Sequence, residues 1–251
     1  MKRKICLLWG LMLMLALPAF SQNAGNVELT TESRQLTSFD RVNITGRFRV
    51  IIYESGTQQV SVTAPDKLLG AVETSVESGV LKINMQQDSA NNNVLENLKA
   101  KYNDYLLRQP IEIKIGVADL KNISARGASR IESQGVLNLS NLTVELSGAS
   151  KAELNCQIGN NLIVSLTEAV KLDIQGSATN VVVTGNGASA YNGEKLIAKS
   201  AKVELNGASR AEVYASESFE ASLNGATKVV CIGSPKNVKQ HASRGSSITV
   251  K

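Results

Sequence analysis

The chain has 251 residues, with 27 Lys or Arg against 22 Asp or Glu, a single His and 4% aromatic residues. One histidine excludes a His-rich metal site, and charges of both signs alternate along the chain without the basic stripe and stacking aromatics typical of nucleic-acid binding. The length suits one large domain or two small ones.

The amino terminus has the three-part pattern of a secretory signal peptide. Lys2-Arg3-Lys4 precede an apolar run over 5–17, and the small-residue site Ala19-Phe20-Ser21 follows, which predicts a signal peptide over 1–21. The run is shorter than the roughly 20 residues of a membrane span, so we expect none in the mature chain. Removal of the three basic residues lowers the net charge from +5 to +2.

Residues 22–38 are expected to form a flexible segment, and residues 39–115 read as strands. Apolar and polar residues alternate over 39–52, 60–63, 73–76, 80–83 and 111–115. Gly46, Ser55-Gly56 and Ser78-Gly79 mark turns between them. These strands are either the first coils of the domain that follows or a cap upon it.

One segment, Asn91 to Gln109, has the spacing of a helix. Its apolar stripe consists of Val94, Leu95, Leu98, Tyr102, Tyr105 and Leu106. We expect this helical insertion to cover the amino-terminal end of a strand-built domain. The alternative is a protruding helix that contacts a partner through Tyr102 and Tyr105, since tyrosine is favoured at interfaces.

Residues 116–251 consist of repeats. Val144–Glu153 and Val203–Glu212 agree at eight of ten positions, and weaker copies of their Gly-Ala-Ser triplet recur about every 20 residues. Glu168-Ala169-Val170 fills one gap without its glycine. A period of about 20 residues with two-residue apolar alternation predicts strands wound into stacked coils.

The predicted fold is therefore all-β: a right-handed parallel β-helix, or β-solenoid, with coils of about 20 residues over 39–251. Each glycine of the triplet is expected at a corner with positive φ, the alanine in a narrow interior, and the serine bonded to neighbouring backbone. Asn residues that precede the glycines are expected to stack as a ladder. The residues concerned are Gly127, Gly148, Gly187, Gly207, Gly225, Asn186, Asn206 and Asn224.

With these residues laid out, the chain resembles the auto-transporter adhesin family known as the head GIN domain, common in Bacteroidetes. The resemblance rests on an opening strand ending near Gly46, the repeated triplets, and Cys231-Ile-Gly-Ser-Pro235 before a last repeat at Gly245. It implies a β-helical fold and a surface or periplasmic location, and carries over no catalytic or binding residue. With the signal peptide, we expect an exported protein that is periplasmic, on the cell surface or extracellular. We expect no translocating barrel after the repeats and therefore no self-export.

Two functional classes remain open. The recurring acids Glu132, Glu153 and Glu212 hold equivalent outward positions beside basic residues, as on a solvated face, and His241 alone does not make a catalytic triad. We expect a non-enzymatic adhesion or interaction module without cofactor, whose partner is an unknown envelope, host-surface or glycan component. The alternative is a β-helical polysaccharide lyase or hydrolase, which a deep groove with two acids and an aromatic floor would favour.

The two cysteines of the mature chain are not expected to form a disulfide. Cys156 and Cys231 fall four coils apart, or roughly 19 Å at the strand spacing of about 4.8 Å. A disulfide requires Cα atoms about 4.4 to 6.8 Å apart. Both should be buried, small, hydrophobic side chains.

Overall fold

The computed structural model describes residues 28–86 and 108–251. Of these residues 70% lie in strands and 2% in helix, and the strands wind into a β-solenoid of about six turns with coils of ~20 residues. The predicted all-β solenoid is confirmed.

The twenty strands and one short helix follow the alternating segments of the sequence. In chain order they are β1 (Leu29–Arg34), β2 (Arg41–Gly46), β3 (Arg49–Glu54), β4 (Gln59–Pro65), α1 (Asp66–Leu69), β5 (Val72–Glu77), β6 (Val80–Met85), β7 (Glu112–Val117), β8 (Asn122–Gly127), β9 (Arg130–Gln134), β10 (Leu137–Leu139), β11 (Leu142–Gly148), β12 (Lys151–Ile158), β13 (Asn161–Glu168), β14 (Lys171–Gly187), β15 (Ala190–Gly207), β16 (Arg210–Tyr214), β17 (Ser218–Gly225), β18 (Lys228–Ile232), β19 (Asn237–Ala242) and β20 (Ser247–Val250).

Parallel ladders divide the solenoid into three faces. Face A contains β6, β2, β8, β11, β13, the second halves of β14 and β15, β17 and β19. Face B contains β7, β3, β9, the first parts of β12, β14 and β15, then β16, β18 and β20. Face C is short and contains β10, the end of β12 and the middle parts of β14 and β15.

The core lies inside the three faces, and its side chains stack in columns along the axis. One column on face A runs in register through seven strand segments and consists of Val42, Ile123, Val144, Val164, Val183, Val203 and Ala221. All seven are buried. β-branched side chains suit such a column because they pack well on a pleated surface, and each buried Val or Ile contributes about 1.5–3 kcal/mol.

Chain order and stacking order differ at the amino-terminal end. β2 lies between β6 and β8, and β3 lies between β7 and β9. The coil of β6 and β7 therefore stacks outside an earlier one, so neighbouring coils in the stack are not consecutive in sequence here. β1, β4 and β5 add antiparallel strands at this end. The region thus contains both coils and a cap, the two alternatives that the sequence left open.

Part of the segment predicted to be flexible is ordered. Within 22–38, Leu29–Arg34 forms β1, which pairs with β4 over six residues. Its side chains are mostly exposed and show no apolar alternation, since the strand is held by backbone hydrogen bonds and not by burial. The guanidinium of Arg34 also donates to the carbonyl of Leu69 (3.0 Å). The predicted signal peptide and the predicted helix over 91–109, apart from its last two residues, lie outside the described residues.

The repeated triplet forms the corner between faces A and B. Gly148 has a φ of 82°, and a Cβ placed on it would lie 2.5 Å from the carbonyl oxygen of Gly127 in the preceding coil. That oxygen accepts a hydrogen bond from the amide of Ala149 (2.7 Å). Glycine is required here both for the positive φ and for the close stacking of coils.

The prediction that the alanine of the triplet lies in the interior is wrong. The alanines point into solvent, whereas the third residue is buried, at 1% exposure for Ser129 and Ser150 and 2% for Ser209. The reason is the unpaired backbone at the corner. The hydroxyl of Ser129 donates to the carbonyl of Gly46 (2.9 Å) and accepts from the amide of Phe48 (3.2 Å), which satisfies two buried groups at once.

Candidate binding groove on face B

Two rows of opposite charge run along the outer surface of face B. Register places the first outward residue of each strand in one row and the residue two positions later in the next row. The basic row consists of Arg49, Arg130, Lys151, Lys171, Arg210 and Lys228, and the acidic row of Glu132, Glu153, Asp173 and Glu212.

Ion pairs join the two rows within and between coils. Arg130 contacts Glu132 (2.5 Å) in its own strand and Glu153 (2.9 Å) in the next, and Lys151 contacts Glu153 (2.6 Å). Lys171 contacts Asp173 at 2.8 Å. Exposed ion pairs stabilise a fold only slightly, so the main consequence of this network is the ordered pattern of charge on the surface.

The network keeps two of its carboxyls ionised. Burial by itself would raise the pKa of Glu132, but hydrogen bonds and charge from Arg130 and Arg49 outweigh it and lower the pKa below its ordinary value. Burial likewise opposes ionisation of Asp173, whose pKa is lowered by Lys171, by Asn192 and by the charge of Lys151. Neither carboxyl is suited to donate a proton near neutral pH.

The two rows are interrupted at one coil. Ala190 occupies the basic row and Asn192 the acidic row, between Lys171 and Arg210. The side-chain amide of Asn192 donates to Asp173 (2.5 Å). The register shifts just after this point, because β15 contains one more residue than β14 between the paired positions, and this bulge brings Glu194 and Lys195 onto the surface.

A groove of about 710 Å³ lies at this interruption. It is lined by Ser133, Glu153, Leu154, Asn155, Asp173, Ile174, Gln175, Asn192, Glu194, Lys195, Arg210 and Glu212. Four of these residues are acids, yet none of the described residues that line the groove is aromatic. Tyr191 lies beneath it and is 1% exposed, with Gly193 leaving space for its ring. The groove therefore has the acids expected of a carbohydrate-active enzyme but lacks the aromatic floor.

Two further features bear on the chemistry of the surface. Within 28–86 and 108–251, no group of three or more His, Cys, Asp or Glu side chains is placed to hold a metal ion. No helix in this part of the chain is long and apolar enough to cross a membrane.

The predicted Asn residues lie at the end of face A, away from the groove. Asn206 donates to the side-chain oxygen of Asn186 (3.2 Å) and stands in register with Asn224. A second Asn ladder, which was not predicted, joins Asn141, Asn161 and Asn180, with side-chain hydrogen bonds of 3.0 Å at each step. The spacing of about 20 residues between these asparagines, the same as in the predicted ladder, could have indicated it. Tyr102 and Tyr105 lie outside the described residues.

The predicted corner glycines stack in two runs. Gly127 pairs in register with Gly148, and Gly46, which was not among the predicted corners, pairs with Gly127 from the other side. Gly207 pairs with Gly225, and a Cβ on Gly207 would meet the backbone of Gly187. The sequence did not predict the groove residues Asn155, Gln175, Asn192 and Lys195, because the bulge that brings them together does not change the repeat pattern.

Fold and surface together define a β-solenoid protein with ladders of polar and charged side chains. The chain belongs to the family described as "Putative auto-transporter adhesin, head GIN domain", whose model matches residues 38–235. The resemblance noted from the sequence is confirmed.

Solved structures share the fold at low sequence identity. A putative adhesin from Bacteroides fragilis is 18% identical with a TM-score of 0.76, covering 89% of this chain and 97% of its own. A putative lipid binding protein from Parabacteroides distasonis is 17% identical with a TM-score of 0.68, covering 90% and 98%. A putative adhesin from the same species is 14% identical with a TM-score of 0.63, covering 90% and 98%. No curated protein matches the sequence.

Proposed function

We propose that this protein is an exported adhesion or interaction module that binds its partner, in the envelope or on a host surface, without catalysing a reaction. The family and the similar structures described as adhesins support the adhesive role. The observation that carries the proposal is the groove on face B, where ordered rows of charge are interrupted and a set of neutral amides and unpaired charges is presented instead.

The geometry favours binding over catalysis. Glycoside hydrolysis requires a carboxyl that is protonated near neutral pH, facing a second carboxylate. Glu132 and Asp173 have lowered pKa values, and Lys or Arg side chains lie against Glu132, Glu153 and Asp173. Carboxyls neutralised by adjacent cations, as at these three residues, suit recognition, since complementary charge determines register and partner choice.

One observation favours the second candidate, a carbohydrate-active enzyme. Glu153, Asp173, Glu194 and Glu212 line a single groove of sufficient size for a short saccharide. Incubation of the purified chain with polygalacturonate, alginate and chondroitin tests it directly. Release of unsaturated or reducing ends that is lost in Glu194→Gln would replace the adhesion proposal with this one.

The adhesion proposal is tested by reversing one charge in the groove. Glu194 is exposed and is in no ion pair with another described residue, so Glu194→Lys changes the charge of the groove without breaking a contact. We expect retention of the tagged chain on intact bacterial cells or on mucin-coated surfaces to fall at least about tenfold, the effect of about 1.4 kcal/mol.

The matched control is Glu145→Lys. Glu145 is also exposed and lies in a strand of face A, outside the groove on face B. It should retain the binding of the wild-type chain. Equal losses in both variants would point to non-specific charge, and no loss in either would remove the groove from the proposal.

A further inference from the structure

A second cavity lies at the amino-terminal end of face B, about 450 Å³ in volume. β1, β4, β7 and β3 pair side by side at this end, and the chain between β1 and β2 forms one wall of the cavity. Its size lies within the range of small-molecule sites in proteins. Nothing in the face B groove contributes to it.

The floor of the cavity includes a tyrosine ring with a fixed position. Tyr53 pairs in register with Gly116, and its ring and hydroxyl lie 3.0 Å from where a Cβ on Gly116 would be. The glycine thus allows the ring to lie flat across β7, towards Gln59, which pairs with Gly116 from the other side. A ring held in this way presents an apolar surface edged by a polar hydroxyl.

The wall of the cavity is also held in place. The side chain of Gln58 makes two hydrogen bonds to the backbone of Phe39: its oxygen accepts from the amide (3.1 Å) and its nitrogen donates to the carbonyl. Phe39 is itself buried, which anchors the wall in the core. The cavity is therefore formed before any ligand binds, which reduces the entropic cost of binding.

Unused polar groups surround the ring. Ser33 and Ser61 pair across β1 and β4, and Gln35 stands beside them. None of these three side chains, nor the hydroxyl of Tyr53, hydrogen-bonds to another described residue, and Nε of Arg34 is buried without a partner among them. Hydroxyl and amide groups both donate and accept hydrogen bonds, as a polyhydroxylated ligand requires.

Charge at the cavity is nearly balanced. Arg34 is the single charged residue among the described lining residues, and its guanidinium lies 3.3 Å from Glu32 and donates to the carbonyl of Leu69. A ligand with net charge gains little from such a site. An uncharged ligand with one apolar face and several hydroxyls matches the ring and the amides together.

We infer that this cavity binds a neutral saccharide, with one sugar ring stacked on Tyr53 and its hydroxyls bonded by Gln35, Gln59, Ser33 and Ser61. The inference deepens the proposed function, on which it rests for its biological role, by naming a glycan as a ligand class. It places that ligand in a site separate from the face B groove.

The test is saturation-transfer NMR with neutral disaccharides, namely lactose, cellobiose, maltose and N-acetyllactosamine. We expect transfer from the wild-type chain to at least one of them, and a loss of affinity of about tenfold in Tyr53→Ala. Tyr53→Phe retains the ring and should retain most of the binding. Absence of transfer to all four sugars, or unchanged binding in Tyr53→Ala, would overturn the inference.

The chain offers a matched control for the loss of a tyrosine. The ring of Tyr214 also lies against a glycine, Gly233, with ring atoms 2.8 Å from the position of an added Cβ, at the other end of face B. Tyr214→Ala should therefore lose the same kind of packing and keep sugar binding. Equal loss in both variants would show that binding depends on general stability and would count against the cavity.

A second variant covers the case in which Tyr53→Ala does not fold. Ser61→Gln places a larger neutral side chain in the cavity from a partly exposed strand position and leaves Tyr53 in place. It should abolish sugar binding with an unchanged melting temperature. Glu194→Lys in the groove should bind sugar normally, so failure of the groove proposal and failure of the sugar site give different results.

Discussion

Glu168 stands in register with Gly187 of the next coil, and both residues have positive φ, 72° and 81°. Glutamate thus adopts the left-handed corner that glycine forms in the other copies of the triplet. A residue with a side chain pays roughly 1–2 kcal/mol for this conformation. The corner geometry is imposed by the stacked coils, since the carbonyl of Glu168 still accepts from the amide of Ala188 (3.0 Å).

Glu168→Gly should therefore stabilise the protein. We expect the free energy of unfolding to rise by about 0.5–1 kcal/mol, because relief of the left-handed strain exceeds the entropy that an added glycine costs. Urea denaturation measures it. Glu145→Gly, in the middle of β11, is the control and should lose about 0.5–1 kcal/mol. A loss in both variants would show that Glu168 is unstrained.

Gly207→Val should destabilise the protein by about 3 kcal/mol. Gly207 has a φ of 83°, and an added Cβ would lie 2.9 Å from the carbonyl oxygen of Gly187, so strain and a backbone clash add together. Its exposed neighbour Ala208 is the control, and Ala208→Val should change stability by less than about 0.5 kcal/mol. Thermal or urea unfolding compares the two, and similar midpoints would contradict the corner geometry.

Both thiols should be free and unreactive in the folded protein. Cys156 and Cys231 are free and 0% exposed, as the sequence predicts, and burial raises the pKa of Cys156 to about 12. Since the thiolate is the reactive form, maleimide at pH 7.5 should label neither without denaturant. In urea without reductant it should label both. Absence of label on both cysteines in urea would indicate a disulfide between them.

The same two thiols should reduce stability at alkaline pH. Burial raises the pKa of Cys231 to about 11, against about 8.5 for an unfolded cysteine. The unfolded chain loses these protons first, so the stabilisation is complete below about pH 8.5 and declines as pH rises toward the folded values. The expected slope is about 1.4 kcal/mol per pH unit for each thiol.

Comparison with the double variant Cys156→Ala, Cys231→Ala isolates this effect from the lysines and from Tyr191, whose pKa burial also raises. The variant should be less stable near pH 7, because two buried side chains become smaller, yet lose less stability between pH 8.5 and 10.5. Parallel curves for the two proteins over this range would show that the thiols are accessible to solvent.

The repeated elements of this protein can be predicted from the sequence because each coil places the same requirements on its residues. Val144 and Val203 alternate with charged residues since one face of every strand is buried, and Gly148 and Gly207 recur since every corner needs positive φ and close stacking. The free, buried state of the two cysteines was predicted from the same repeat spacing. The position of the alanine in the triplet was predicted wrongly, because the residue after a left-handed glycine turns outward, a direction that composition does not reveal.

The sequence by itself thus determined the solenoid, its coil length, its corner glycines and the spacing of its charges, all of which follow from local periodicity. The tertiary structure alone decided where these features combine. β6 and β7 stack outside β2 and β3, an extra residue in β15 opens the groove beside Asn192, and Gly116 allows the ring of Tyr53 to lie flat. Each depends on contacts between residues far apart in the chain, about which a repeat pattern carries no information.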